Sequence, residues 1–233
     1  MTYSNGSTDT APGWAWGAYI LPYLEQAPLY AQYNLAQPVQ SSPASQTVVR
    51  TFICPSDPIQ ASPFAVTDSS WATVCMAPPS SYAATCGGSV ATTAATGPGA
   101  FYRNSTVRLT DITDGTSSTF FVGERAFFNV MGTWVGAING GICNTGPNNP
   151  NGVAGKLGQG AADLVLMHNT TINNPTGRNL DDSNSKHTGG ANFLFGDGSI
   201  HFIRNVVSGS VDSTNLQALG TISGGEAVST DMW

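Results

Sequence analysis

The sequence predicts an α+β domain, with an antiparallel sheet built from separated short strands, a few short helices and long loops pinned by disulfides. Three observations carry that expectation. A hairpin is written into residues 192–203, other strand-length apolar runs are separated by stretches rich in Gly, Ser, Thr, Asn and Pro, and four cysteines are spread over residues 54–143.

In the hairpin, Asn192 to Gly196 and Ser199 to Ile203 flank Asp197-Gly198, a pair suited to the two positive-φ positions of a type I′ turn. A period of two then puts Phe193 and Phe195 on one face of the first strand and Ile200 and Phe202 on one face of the second, all four facing a core. His201 points the other way. Upstream, His187-Thr188-Gly189-Gly190 reads as a turn whose backbone something else approaches closely.

Along the chain, residues 1–13 form a polar N-terminal segment and 14–233 a single domain. Trp14 to Tyr33 carries Trp16, Ile20, Tyr23 and Leu24 at helical offsets, interrupted by Pro22 and Pro28, so two short helices are expected. Val48 to Cys54 reads as a buried strand stopped by Pro55-Ser56-Asp57-Pro58. Residues 59–99 read as a long decorated loop with one or two short strands. Thr110 or Asp111 caps a helical turn ending at Gly115, and Thr119 to Glu124 is a strand feeding the core. Trp134-Val135 is expected in a core strand, 168–186 in a polar loop, and Asp212 or Ser213 at the cap of a last short helix closed by Gly224-Gly225.

Composition narrows the function. Only 9% of the residues are charged, against about 25% in an average soluble domain. A surface of hydroxyls and amides suits a protein outside the cytoplasm. The net charge of −6 with eight Lys and Arg excludes the clustered cations that nucleic acid requires. Cys54, Cys75, Cys86 and Cys143 contain no CxxC pair and no His at metal-ligand spacing, so disulfides are expected rather than zinc, with Cys54 joined to Cys75 or Cys86. No window approaches the roughly 20 apolar residues of a membrane span, and the first residues, Met1 to Ser7, have no basic or apolar leader character.

The candidate chemistry is sparse. His187, Asn192, Asp197 and Gly198 form the motif and candidate binding group, yet backbone geometry alone explains an Asp-Gly turn, and His187 is read as pinning the hairpin. Without a Gly-x-Ser-x-Gly elbow no hydrolase is expected, and Asp111, Asp114 and Glu124 are explained as cap, turn and strand end rather than glycosidase carboxylates. Asp111 with Asp114, or Asp181 with Asp182, place oxygen ligands close enough to be weak calcium candidates, though neither follows the EF-hand pattern. No other cofactor is expected. Trp14, Trp16, Trp71 and Tyr82 could instead line a sugar-binding surface, with core packing preferred for Trp16. Asn5, Asn104 and Asn169 begin glycosylation sequons of a kind common by chance in a Ser/Thr-rich chain.

Four segments in this order also carry a resemblance: residues 14–30 with Trp14-Ala15-Trp16-Gly17 and Leu21-Pro22-Tyr23-Leu24-Glu25-Gln26; Phe52-Ile53-Cys54-Pro55-Ser56-Asp57-Pro58; Asp111 to Thr119 with Val122-Gly123-Glu124; and His187 to Gly198, with nine residues between His187 and Asp197. The chain resembles the prepilin-like family of unknown function that carries a prepilin-processing-associated His-(nine residues)-Asp-Gly domain, best known from planctomycete bacteria, over about residues 14–226. The resemblance implies a pilin-like globular head. It implies a structural or interaction role, without enzymatic activity, in a type IV pilus or type II secretion pseudopilin assembly at the cell surface or in secretion. The expected partners are other pilin-like subunits or copies of the chain in a filament, with membrane contact only through an N-terminal helix that this sequence does not contain. The alternative is an extracytoplasmic solute- or glycan-binding module.

Overall fold

The computed structural model describes residues 11–88, 96–145, 160–172, 180–206, 211–228 and Asp231. Ten strands are formed: β1 Phe64–Thr67, β2 Thr73–Ala77, β3 Pro79–Ser80, β4 Tyr82–Thr85, β5 Phe120–Glu124, β6 Gly132–Thr133, β7 Leu166–Ile172, β8 Asp182–Ser183, β9 Gly190–Phe195 and β10 Ile200–Arg204. Three short α-helices accompany them, α1 Trp16–Tyr19, α2 Ala27–Tyr30 and α3 Val211–Ala218, so the α+β class holds. Among the described residues no helix is long and apolar enough to cross a membrane.

The main sheet runs β10-β9-β5-β4-β7-β8, with β1-β2 and β3-β6 as separate small antiparallel pairs. β10, β9, β5 and β4 pair antiparallel, whereas β7 joins β4 and β8 in parallel. Neighbouring residues of β4 and β7 belong to different apolar clusters, Ala83 and Met167 to one and Ala84 and Leu166 to the other, which places this sheet between two cores. One core holds Phe120, Phe193, Phe195 and Ile203 with Leu216 of α3 and the following Leu219. Phe120 stacks on Phe193 at 4.3 Å and meets Phe195 edge-on at 4.9 Å. Each such ring contributes about 1.5–3 kcal/mol on leaving water. The other core is built around Trp14, Phe52 and Trp134, with Phe52 stacked on Trp134 at 4.7 Å.

The hairpin forms, but with a different turn. Of Asp197 and Gly198, only Gly198 has a positive φ, +88°. Gly198 N–H donates to Phe195 O and Phe195 N–H to Ser199 O, the three-residue loop in which a left-handed glycine makes a bulge. Ile200 therefore pairs with Leu194 and His201 with Phe193. One residue of slip turns β10 over. Ile200 and Phe202 are 68% and 39% exposed, Ile203 is buried, and the His201 ring packs edge-on against Phe195 at 4.9 Å.

Other differences have equally local causes. The apolar stretch before Cys54 is a 3₁₀ turn, Arg50–Phe52, because Val49 and Phe52, three apart, bury together. Residues 59–99 contain four strands rather than one or two, apart from 89–95, which lie outside the described residues. Leu109–Asp111 is a 3₁₀ turn in which Asp111 Oδ2 accepts Arg108 N–H at 2.8 Å, so the acid closes this turn rather than opening a helix. Trp134 and Val135 are core residues but follow strand β6 instead of forming one. The expected polar loop after 168 begins as strand β7. Asp212 and Ser213 lie inside α3, and Gly220 N–H bonded to Gln217 O closes it well before Gly224-Gly225.

The disulfide expectation fails: all four cysteines are thiols. Cys75 lies on β2 opposite Val66, the Cys86 amide is bonded to Met167 O beyond the end of β4, and Cys54 turns towards Glu124. The loops are held by buried carboxylates and backbone amides instead.

Gly198 has open space around its Cα, so a methyl group there meets only backbone strain. Gly198→Ala should cost about 1–2 kcal/mol, read as a lower urea midpoint. An unchanged midpoint would refute the left-handed turn.

Candidate functional site

Glu124 ends the central strand β5 with its side chain only 4% exposed. A carboxylate in that position must be satisfied by the chain, since an unpaired buried charge costs several kcal/mol. Asn192 on the adjacent β9 does most of this, donating its backbone N–H to Oε2 at 2.8 Å and its side-chain Nδ2 to the same oxygen at 3.2 Å. The other oxygen, Oε1, is left facing His187 Nε2 at 3.0 Å and the Cys54 thiol at 3.5 Å. Cys54 Sγ and His187 Nε2 are themselves 3.5 Å apart.

Each side chain is positioned from a different segment. The Cys54-Pro55-Ser56-Asp57 turn closes through Asp57 N–H to Cys54 O at 2.9 Å. The Asp57 carboxylate then accepts Phe127 N–H at 2.6 Å, Phe128 N–H at 3.2 Å and the Ser81 hydroxyl at 2.8 Å. These bonds press the turn against the chain leaving Glu124. Gly123 is required just before the acid, because a Cβ there would stand 2.5 Å from Met167 and 2.6 Å from Phe193. His187 is placed by its N–H to Ser185 Oγ at 3.0 Å, and Ser185 Oγ donates to Gly190 O at 2.6 Å.

Burial pushes the Cys54 thiol up, the Glu124 charge adds to this, and hydrogen bonds at Ser56 oppose it. Burial likewise raises Asp57, against the bonds from Ser81, Phe127 and Phe128. Tyr82, beside Cys54, is also raised, chiefly by burial. The space between Cys54, Asp57, Ser81, Glu124 and Lys186 is too tight for a water molecule, whereas a cleft of about 240 Å³ opens on another side of Glu124, between Tyr82, Asn192 and Ile200.

This geometry is not that of a nucleophile triad. In a triad the imidazole bridges its partners through its two different nitrogens, whereas here one nitrogen, Nε2, faces both thiol and carboxylate. The three donors share a centre instead. Among the described residues this is the one group of three His, Cys or acidic ligand atoms within 4.8 Å of one another.

The residues singled out in the sequence separate accordingly. His187 and Asn192 meet at Glu124, while Asp197 and Gly198 sit at the far end of β9, where Asp197 accepts Ser199 N–H and Oγ–H at 2.9 and 2.7 Å. Those bonds hold the exposed Asp197 below the ordinary carboxylate range. Asp114 accepts Gly224 N–H at 2.7 Å, Gly225 N–H at 2.9 Å and the Thr221 hydroxyl at 3.0 Å. Asp181 and Asp182 clamp His168: Nε2 is 2.8 Å from Asp181 and Nδ1 3.0 Å from Asp182, the latter poorly aligned as a hydrogen bond. Trp14 is fully buried, Trp16 packs edge-on against Phe52, and Trp71 is 48% exposed. Asn169 is buried and donates to Thr85 Oγ1, so its sequon is not an exposed acceptor, whereas Asn104 is exposed and Asn5 lies outside the described residues.

Sequence reasoning passed over His168, Asp57 and the role of Glu124. Glu124 had a usable signal, an acid closing an apolar strand run directly after glycine. His168 had none, being surrounded by polar residues on its C-terminal side.

Residues 1–212 match the model of a family described as a protein of unknown function (DUF1559), and the chain belongs to that family. No curated protein and no solved structure matches the chain.

Two outcomes follow from the geometry. Asp57→Ala leaves the Phe127 and Phe128 amides without their acceptor and should cost roughly 2–4 kcal/mol, seen as a lowered denaturant midpoint; a loss below about 0.5 kcal/mol, the usual range for a surface change, would show that the turn is held by something else. For His168, burial opposes the charge, but the contacts and attraction of Asp181 and Asp182 prevail and raise it to about 10. The unfolded imidazole titrates near 6.5, so this stabilisation is complete below about pH 6.5 and is lost as pH rises towards the folded value, by at most about 1.4 kcal/mol per unit. Between about pH 6.5 and 7.5, a full unit below the ordinary thiol pKa of about 8.5, the wild-type midpoint should fall while that of His168→Gln stays flat. Parallel profiles would refute a charged His168.

Proposed function

We propose that this member of the family is a structural or interaction protein, the globular head of a pilin- or pseudopilin-like subunit that works at the cell surface or in secretion, outside the cytoplasm. The reading draws on the four ordered segments of the sequence resemblance and on a composition low in charge. The observation that carries it is the use made of the buried and half-buried acids. Asp57, Asp114 and Glu124 each accept N–H or O–H donors from a segment far away in the sequence, and Asp182 on β8 accepts those of the neighbouring β7, fastening loops and strands together. Charge used in this way fixes shape, and the reading assigns the chain no catalytic activity.

The partners are other pilin-like subunits or further copies of the chain. β10 supports such contacts, since it is an edge strand of the main sheet and carries the exposed Ile200 and Phe202. Anchoring in a membrane would come through an N-terminal apolar helix of the pilin type.

A second reading, binding of a small solute or glycan, is favoured by the cleft of about 240 Å³ lined by Tyr82, Asn192, Phe193 and Ile200. It lies just below the usual range of ligand pockets, about 300–1,000 Å³.

Expression of the whole gene product in its own host, followed by surface shearing and amine cross-linking, tests the choice. Wild type should appear in the sheared fraction cross-linked to like subunits, and Ile200→Asp with Phe202→Asp should abolish the cross-links while the melting temperature changes little. A monomeric wild type absent from that fraction, and stabilised by a simple sugar, would replace the first reading with the second.

A further inference from the structure

We infer that Cys54, Glu124 and His187 form a three-ligand site for a divalent cation of the zinc class. The argument is geometric first. Bonds of about 2.0–2.3 Å from zinc to oxygen, nitrogen and sulfur place neighbouring ligand atoms of a tetrahedron about 3.3–3.7 Å apart. The three donor atoms here stand 3.0, 3.5 and 3.5 Å apart: both separations from sulfur match such a tetrahedron, and the oxygen–nitrogen pair needs to open by only a few tenths of an ångström. An ion between them needs no separate cavity, because metal–ligand bonds replace the contacts the donors now make with one another.

The donor set selects the ion. A thiol and an imidazole are poor ligands for calcium or magnesium, which take oxygen, and suit zinc and its borderline neighbours. Thiolate, carboxylate and neutral imidazole around a divalent ion give a site of zero net charge, as a buried position favours. Binding through sulfur releases the thiol proton to solvent, and His187 ligates through Nε2 with its proton on Nδ1. The outer contacts suit the same role. Asn192 holds Glu124 Oε2 with two donors and so aims Oε1 at the centre, which is how bound carboxylates are oriented in metal sites. The side chain of His187 is 32% exposed, which brings the site to the surface and leaves the fourth corner to water. The ion would join the turn at 54–57, the end of β5 and the loop before β9, adding bonds to three segments that already meet at Glu124.

Cobalt(II) tests this in the full chain, purified under reductant and stripped with a chelator. The expected result is one cobalt per chain with a thiolate-to-cobalt charge-transfer band, displaced by zinc(II). Cys54→Ser should remove the band and Cys143→Ser should keep it, while Glu124→Gln and His187→Gln should each weaken binding at least about tenfold. A further measurement needs no variant: zinc(II) should slow alkylation of Cys54, mapped by mass spectrometry, and leave Cys75 unchanged. Absence of the band in wild type, a band that survives Cys54→Ser, or alkylation of Cys54 indifferent to zinc(II) would each overturn the assignment.

Discussion

The carboxylate of Glu124 is the constraint to which most of the molecule answers. It stands at the end of the central strand, buried, and the strands and loops around it are arranged so that it is not alone. Asn192 must lie beside it, which sets the β5–β9 register, and the chain before β9 must fold back so that His187 reaches it. On the other side the turn carrying Cys54 must be held in place, and Asp57 does that by gripping the residues just past Glu124. Asn192 N–H and Phe127 N–H would be buried donors without acceptors if these acids were removed, so the polar network and the backbone specify each other.

Asp57 and Glu124 also explain how the long loops manage without covalent staples. An even number of cysteines in a loop-rich chain suggests disulfides by composition, yet pairing requires Cβ atoms about 3.5–4.5 Å apart. Cys75 sits on β2 of the separate β1-β2 pair, and Cys86 lies just past the end of β4, bonded to β7. Acceptors able to take two or three donors each do the joining instead: Asp57 between segments 70 residues apart, Asp114 between segments 110 apart.

How far the sequence could be read follows from the range of the forces involved. The hairpin, the short helices near the N-terminus and strand β5 were legible because turn chemistry and alternation are local. The face of β10 was not, since it depends on whether the turn holds two residues or three, a difference that lies in the backbone conformation of Gly196 and Asp197. Strand β7 was hidden because Asn169, Thr170 and Thr171 are polar on both faces, and they are tolerated only because Thr85, Asp182 and Ser183 arrive from elsewhere to bond them. The candidate site lay at the limit of legibility. His187 stood out as a residue that turn geometry did not explain, but its partners are 63 and 133 positions away, beyond any spacing rule.

The four thiols sharpen the contrast between Cys54 and its fellows. Burial raises Cys86 and Cys143 to about 12 and Cys75 to about 11, which keeps them protonated and poor nucleophiles even in an oxidising surrounding. A protein that works outside the cytoplasm can carry such thiols unpaired, because the thiolate is the species that reacts. Cys54 is different in kind. It is the cysteine that shares a centre with a carboxylate and an imidazole, so its chemistry depends on neighbours that can act on it and not on burial alone. Three cysteines therefore read as small apolar residues of the core around Trp14, Phe52 and Trp134 and of its margin, while the fourth belongs to the polar junction that Glu124 organises. An export-like composition and the absence of disulfides then stand without conflict.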